Sequence, residues 1–248
     1  MFSIREAIIR GWQVFRHHTG FMLGVHVIAI LVQVVPSLLF GDSPGLRALS
    51  VFVGLLGSFV VALGLVRIGL SLVDGTGADY ADLYSHAHLV FKYLVGTLGH
   101  VFLALSGACV IGLAVLAYSN VTHTPVPVAE DLNLLITLGV LALVPGAYFY
   151  AQFSQWPFII VEREVGPFQA LAQSSSLTRG SRGRLIILYV ASLAIYFIWF
   201  ERWLRIAGFG LGGFLPAFVG ALVIFANLTV VHAYVYRRLD STRAGASE

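Results

Sequence analysis

Three histidines, His26, His100 and His232, sit inside long stretches that carry no charged residue. Imidazole is the commonest metal ligand, and paired histidines on separate helices can hold a haem iron. The spacing argues against that chemistry. No two of the three share a helix at i, i+4, no carboxylate stands beside them, and there is no HExxH string. They are the remotest candidates, and neither metal nor cofactor is expected. Hydrolase and nucleotide signatures are missing too: the chain has no GxSxG elbow and no P-loop. The glycine-rich run Gly208–Gly213 leads into an apolar segment and follows no strand, so it is not read as a phosphate cradle. The single cysteine, Cys109, excludes a disulfide framework and a CxxC pair. No catalytic residue is assigned, and enzymatic activity is not expected.

A second group is polar and uncharged. Tyr148, Gln152 and Gln155 follow one another at i, i+4 and i+7, which places them on one helical stripe. Pro145-Gly146 stands at its head as a predicted kink, because proline lacks a donor and disrupts the bond to the Leu141 carbonyl. Backbone freed there has to be satisfied by a neighbour or by water. With His26, Gln33 and Asn227, the stripe is a candidate lining for a polar vestibule facing the cytoplasm. The plainer reading is that the kink packs helices and the amides bond between them, each worth about 1 kcal/mol. A third group, Arg16, Arg67, Lys92 and Arg179, marks segment ends and is a candidate set of anionic headgroup contacts. Arg67 lies deepest, and its long side chain is expected to snorkel to the interface.

These groups must be held by something other than a soluble core. Of 248 residues, 58% are hydrophobic and 11% charged, with mean hydropathy +0.87. That polar surface cannot cover a globule of this size, so most of the chain faces lipid or other apolar helices. A net charge of +3 with arginines scattered at segment ends is no nucleic-acid footprint. Uncharged stretches predict six transmembrane helices: His17–Gly41, Ala48–Val66, Tyr93–Ala129 ending near Ser119, Leu132–Val161, Leu185–Phe200 plus about one turn, and Ile206–Tyr236. Only Arg47, Arg202 and Arg205 of the 15 lysines and arginines fall on the outer side, so both termini are expected in the cytoplasm. The first apolar run is too long for a signal-peptide core, and the N-terminus is expected to be retained. Arginine almost without lysine suggests a bacterial source, hence the inner membrane.

Before each odd-numbered span lies a short amphipathic segment. Ile4, Ala7, Ile8, Trp12 and Phe15 share a face in the first, and Tyr80–Phe91 and Gly166–Gly180 are read the same way, as interfacial helices. A shift of 76 residues carries Glu6 onto Asp82, Arg16 onto Lys92 and Gly20 onto Gly96; a shift of 163 carries them onto Gln169, Arg179 and Gly183. This predicts an all-α integral membrane protein of three parallel repeats, each an interfacial helix plus a transmembrane hairpin. The units run over about 1–75, 76–162 and 163–240 of one membrane domain, 1–240, with a short cytoplasmic tail at 241–248.

The most specific string is Leu143-Val144-Pro145-Gly146-Ala147-Tyr148, then Phe158-Ile159-Ile160-Val161-Glu162, Gly166-Pro167, Ala170-Leu171, Ser174 and Leu177-Thr178-Arg179-Gly180. It resembles the membrane-domain family found fused to some glycerophosphodiester phosphodiesterases, together with stand-alone bacterial relatives of uncharacterised function. Tyr80-Ala81-Asp82-Leu83-Tyr84 and Lys92-Tyr93-Leu94 resemble that family's earlier cytoplasmic segment. The resemblance implies a six-helix membrane fold and no catalytic residues. The phosphodiesterase is a separate soluble domain, and no segment here is long and polar enough to be one. The expected role is non-enzymatic: binding anionic membrane lipids or a membrane-protein partner, in envelope or lipid homeostasis. A transporter with a cytoplasm-facing vestibule is the alternative, and a haem or metal protein the remote one.

Overall fold

The computed structural model describes residues 2–39, 43–122, 144–208 and 210–244. Among them the chain is helical without a strand, and five helices are long and apolar enough to cross a membrane. The chain is a multi-pass membrane protein by that measure. Helix α1 (Ile4–His17) is followed after one residue by α2 (Thr19–Leu39), with the Thr19 hydroxyl donating to the Phe15 carbonyl at 3.0 Å across the break. Helix α3 (Pro44–Asp74) has Ser43 as its N-cap, accepting from Leu46 N, and Pro44 in its first turn, where the missing donor costs nothing. It stops at Gly75, whose φ of 70° is left-handed and suits glycine.

After α4 (Asp82–Ser85) and a 3-10 turn (Ala87–Leu89) come α5 (Val90–Thr122), α6 (144–153), α7 (Trp156–Arg163), α8 (Pro167–Leu177), α9 (Arg182–Ala207) and α10 (Leu211–Ala244). Spans one, two, three, five and six of the sequence reading fall on α2, α3, α5, α9 and α10. For the fourth, 132–143 lies outside the described residues, and with it the Leu141 carbonyl and the predicted kink.

Several expectations change. Tyr80–Phe91 is not one interfacial helix: the Asp79 and Asp82 carboxylates accept from the Tyr80 and Asp79 amides at 2.6 and 2.9 Å, and the Ser85 hydroxyl pairs with the His86 ring at 2.7 Å. Such short side chains compete for the backbone and fragment the helix. Helix α10 continues into the segment read as a tail, as far as Ala244. Gly208 is not part of the sixth span but closes α9 with a φ of 71°. On α2 a Cβ on Gly20 would meet nothing, whereas Gly24 lies against the Tyr80 hydroxyl.

Each amphipathic segment packs on the second helix of a hairpin: α1 on α10, α4 on α3, and α8 on α7 and α5. Helix α1 presents Ala7, Gly11 and Phe15 to the protein, with Gly11 against Val231, and leaves Ile8 and Trp12 exposed. Its apolar face is therefore shared between the bundle and the surroundings. Helix α3 touches both α7 and α10, and Phe158 stacks on Tyr236 with ring centroids 5.3 Å apart. The ends of α3, α7 and α10 thus meet in the middle of one face of the bundle.

Candidate functional site

That meeting point is ionic. Arg237 makes a two-pronged contact with Asp74, Nε to Oδ1 at 2.9 Å and Nη2 to Oδ2 at 2.6 Å, and its Nη1 donates to Glu162. The Tyr236 hydroxyl donates to the same Glu162 carboxylate. Partial burial pushes the Glu162 carboxyl up, but the bonds from Tyr236 and Arg237 and the neighbouring positive charges outweigh this and hold it below the usual carboxylate range. Arg163 pairs with Asp240 at 2.7 Å, and Tyr234 donates to Glu6 at 2.7 Å. These acids and arginines satisfy one another across four helices, α1, α3, α7 and α10.

The candidate headgroup contacts are placed differently. Arg16, Arg67 and Arg179 are exposed, while Lys92 donates to the Glu164 carbonyl at 2.5 Å and so ties α5 to the turn before α8. Arg179 joins Arg243, Ser176, Ser181 and Thr242 around a cavity of about 430 Å³ with no acidic residue among the described residues of its lining. Arg243 donates to Ser176 Oγ at 2.7 Å. Guanidiniums and hydroxyls are donor groups of the kind that suit a phosphate-type anion.

The polar stripe packs between helices. Tyr148 bonds Arg182, Gln152 Nε2 donates to Ser175 Oγ at 2.9 Å, and Gln155 Nε2 donates to Ser154 Oγ at 3.0 Å and Tyr189 Oη at 3.3 Å. Pro145 and Gly146 begin the described part of α6, and a Cβ on Gly146 would come within 2.8 Å of the Ala104 carbonyl. The break within the described residues is at Ser154–Gln155, just before Pro157, whose nitrogen cannot continue the ladder. Hydroxyls of α8 take the place of that ladder. Ser174 Oγ accepts from Gln155 N at 3.1 Å and donates to the Gln152 carbonyl at 3.2 Å, and Thr178 Oγ1 donates to the same carbonyl at 2.9 Å. Ser174 and Thr178 are fully buried. Neither was among the sequence candidates, although their i, i+4 spacing beside apolar Ala170 and Leu177 marks them as an inward polar pair.

Two cavities lie deeper. The first, about 400 Å³, is lined by His26 and Gln33 together with Tyr196, Phe218, Phe225 and Thr229. His26 is satisfied there: Nδ1 lies 2.8 Å from the Met22 carbonyl and Nε2 3.2 Å from Thr229 Oγ1. Since a carbonyl only accepts, Nδ1 carries the proton and Nε2 of the neutral ring accepts the hydroxyl. The second, about 380 Å³, shares Tyr196 and Phe225 with the first and is lined also by Tyr150, Tyr189, Ser192 and His232.

Behind the second cavity runs a chain of rings. Trp156 Nε1 donates to His100 Nδ1 at 2.8 Å, and centroids are 5.0 Å apart for His100–Tyr150, 5.1 Å for Tyr150–Tyr189 and 5.1 Å for Tyr189–His232. Nε2 of His100, Nε2 of His232 and Oε1 of Gln155 are buried without a hydrogen-bond partner among the described residues. Asn227 Oδ1 on α10 is in the same condition.

The six vestibule candidates therefore do not gather into one site. His26 and Gln33 share the first cavity, Tyr148 and Gln152 are engaged by α8 and α9, and Gln155 points toward the tyrosines. The histidines likewise divide, His26 on one cavity, His100 and His232 on either side of the Tyr150–Tyr189 pair. Among the described residues no group of three or more histidine, cysteine or acidic side chains is placed to hold a metal. Tyr150 and Tyr189, which sequence reasoning passed over, stand at the junction. Comparison of the chain with protein-family models, with curated proteins and with solved structures finds no match.

Proposed function

We propose that this is a non-enzymatic, six-span protein of the bacterial inner membrane that holds anionic lipid headgroups on an arginine-rich cytoplasmic face. The observation that carries the reading is the cavity in which Arg179 and Arg243 converge with three hydroxyls and, among the described residues, no carboxylate. Exposed Arg16 and Arg67 extend the basic surface, and Ile8 and Trp12 on α1, 42% and 48% exposed, offer the apolar half of an interfacial contact. Gln152 is spent on α8, which favours this reading over a transport vestibule.

The finer architecture belongs to the same proposal. The element order, amphipathic segment then hairpin, fits three parallel units with both termini inside. The packing of α1 on α10, α4 on α3 and α8 on α7 supports it, since each segment then sits on the preceding unit's second helix in a closed cycle. The likeness to the phosphodiesterase-associated membrane domains suits such a fold and a place in lipid homeostasis.

The test is lipid retention by the purified chain, read by native mass spectrometry from mixtures of phosphatidylglycerol and phosphatidylcholine with identical acyl chains. Arg179→Gln with Arg243→Gln should reduce retained phosphatidylglycerol on the order of thirtyfold, about 1 kcal/mol for each cation. Retention indifferent to headgroup charge in the unaltered protein would overturn the proposal.

A further inference from the structure

Buried polar atoms without partners are rare, because each leaves a desolvated group with nothing in exchange. Here they cluster. His100 Nε2, Gln155 Oε1 and His232 Nε2 all lie around Tyr150 and Tyr189, and Tyr150, Tyr189 and His232 line one cavity of about 380 Å³. His100 receives the Trp156 N–H on Nδ1, so its neutral ring carries the proton on Nε2. Gln155 Oε1 is an unused acceptor. Of these groups Tyr150, Tyr189 and His232, from α6, α9 and α10, line the cavity itself, with His100 and Gln155 behind them.

We infer that this cavity binds the hydroxyl head of an uncharged lipid alcohol, of which diacylglycerol is the test case. Three observations select that chemistry. No charged side chain lines the cavity, so a phosphate or carboxylate head would be stripped of water without a counter-charge. A hydroxyl both donates and accepts, and so answers the phenols and the His232 ring in either tautomer. The depth also suits: His232 precedes Arg237 by five residues on α10, about 7.5 Å at 1.5 Å per residue, which puts the polar atoms just inside the charged end of the bundle. The walls fit the rest of the molecule. Val190 and Leu193 on the outer side of α9 line the cavity while 58% and 56% exposed, leaving a lateral way out for acyl chains. Tyr196 and Phe225, 5.2 Å apart, form the partition from the first cavity. This inference is independent of the headgroup site at Arg179 and Arg243.

The experiment uses the full chain in nanodiscs of phosphatidylcholine doped with either dioleoylglycerol or its 3-O-methyl ether, which keeps both acyl chains and loses the hydroxyl proton. Retention is read by native mass spectrometry. Dioleoylglycerol should be retained about tenfold over the ether, the difference expected of one buried hydrogen bond. Leu193→Trp fills the cavity from its outer side without touching the core and should bring dioleoylglycerol down to the ether's level, as should His232→Leu. Arg179→Gln with Arg243→Gln should leave it unchanged. Equal retention of alcohol and ether, retention of neither, or retention untouched by Leu193→Trp would each overturn the inference.

Discussion

Ser174→Ala tests how the interrupted fourth span is held. In the native protein Ser174 Oγ accepts from Gln155 N and donates to the Gln152 carbonyl, and the residue is fully buried. Alanine removes no packing volume beyond the oxygen but leaves the Gln155 N–H without that acceptor. An orphaned buried donor costs about 1–3 kcal/mol, so a loss of ~2 kcal/mol is expected. A mere interhelical side-chain bond in a membrane protein averages about 0.6 kcal/mol. The two accounts are therefore separable. Thr178→Val alone should cost less than about 1 kcal/mol, because the Gln152 carbonyl keeps Ser174. In the Ser174→Ala background the same change strips both hydroxyls from that carbonyl, and the double variant should exceed the sum by about 1 kcal/mol. Equilibrium unfolding in mixed micelles, followed by tryptophan fluorescence, suits the question because Trp156 begins α7 directly after the break. A Ser174→Ala variant within about 0.5 kcal/mol of the unaltered protein, with additive double-variant behaviour, would refute the argument.

Other outcomes follow from the ionic centre and from close helix approaches. Glu162 is held below the usual carboxylate range, so its contribution is full above pH 4.5, the ordinary value, and is lost as pH falls through the lower folded value. Unfolding measured from about pH 6 down to pH 3 should show stability declining in the native chain, and Glu162→Gln should flatten that decline; an unchanged slope would exclude Glu162 as its source. A Cβ at Gly64 would collide with the Leu83 backbone, which no flexible side chain can relieve. Gly64→Ala should cost about 1–3 kcal/mol, whereas Gly20→Ala, in open space within α2, should be neutral or stabilising by up to about 1 kcal/mol; thermal midpoints in one detergent decide both.

The residues that announced themselves in the sequence did so through local physics. Long uncharged runs located five of the helices. The break among the described residues lies at Pro157, whereas the kink predicted at Pro145-Gly146 depends on residues outside the described ones. What decides the matter is a hydroxyl 19 residues downstream that completes the freed amide, and such a partner has no local signature. Tyr150 and Tyr189 were passed over for the same reason. An aromatic residue in an apolar run is ordinary, and only its meeting with Gln155, His100 and His232 from other helices makes it a candidate ligand group. The segment 80–91 failed in the opposite direction: its apolar spacing was helical, yet Asp79, Asp82 and Ser85 captured the local backbone first.

The ionic centre bears on why the proposed repeat is faint in the sequence. A shift of 163 residues carries Asp74 onto Arg237, and Glu162 stands near the matching end of the lengthened middle unit. Three parallel units would bring these positions together wherever their second helices converge, as α3, α7 and α10 do. Three identical carboxylates there would repel one another, and three identical arginines would do the same. One arginine between two carboxylates turns the contact attractive, with the Tyr236 hydroxyl completing the coordination of Glu162. The closer the copies approach a common axis, the less they can keep the same charge on it. Divergence is therefore expected to be greatest at the centre and resemblance to persist at the periphery, where the proposed repeat aligns Arg16, Lys92 and Arg179.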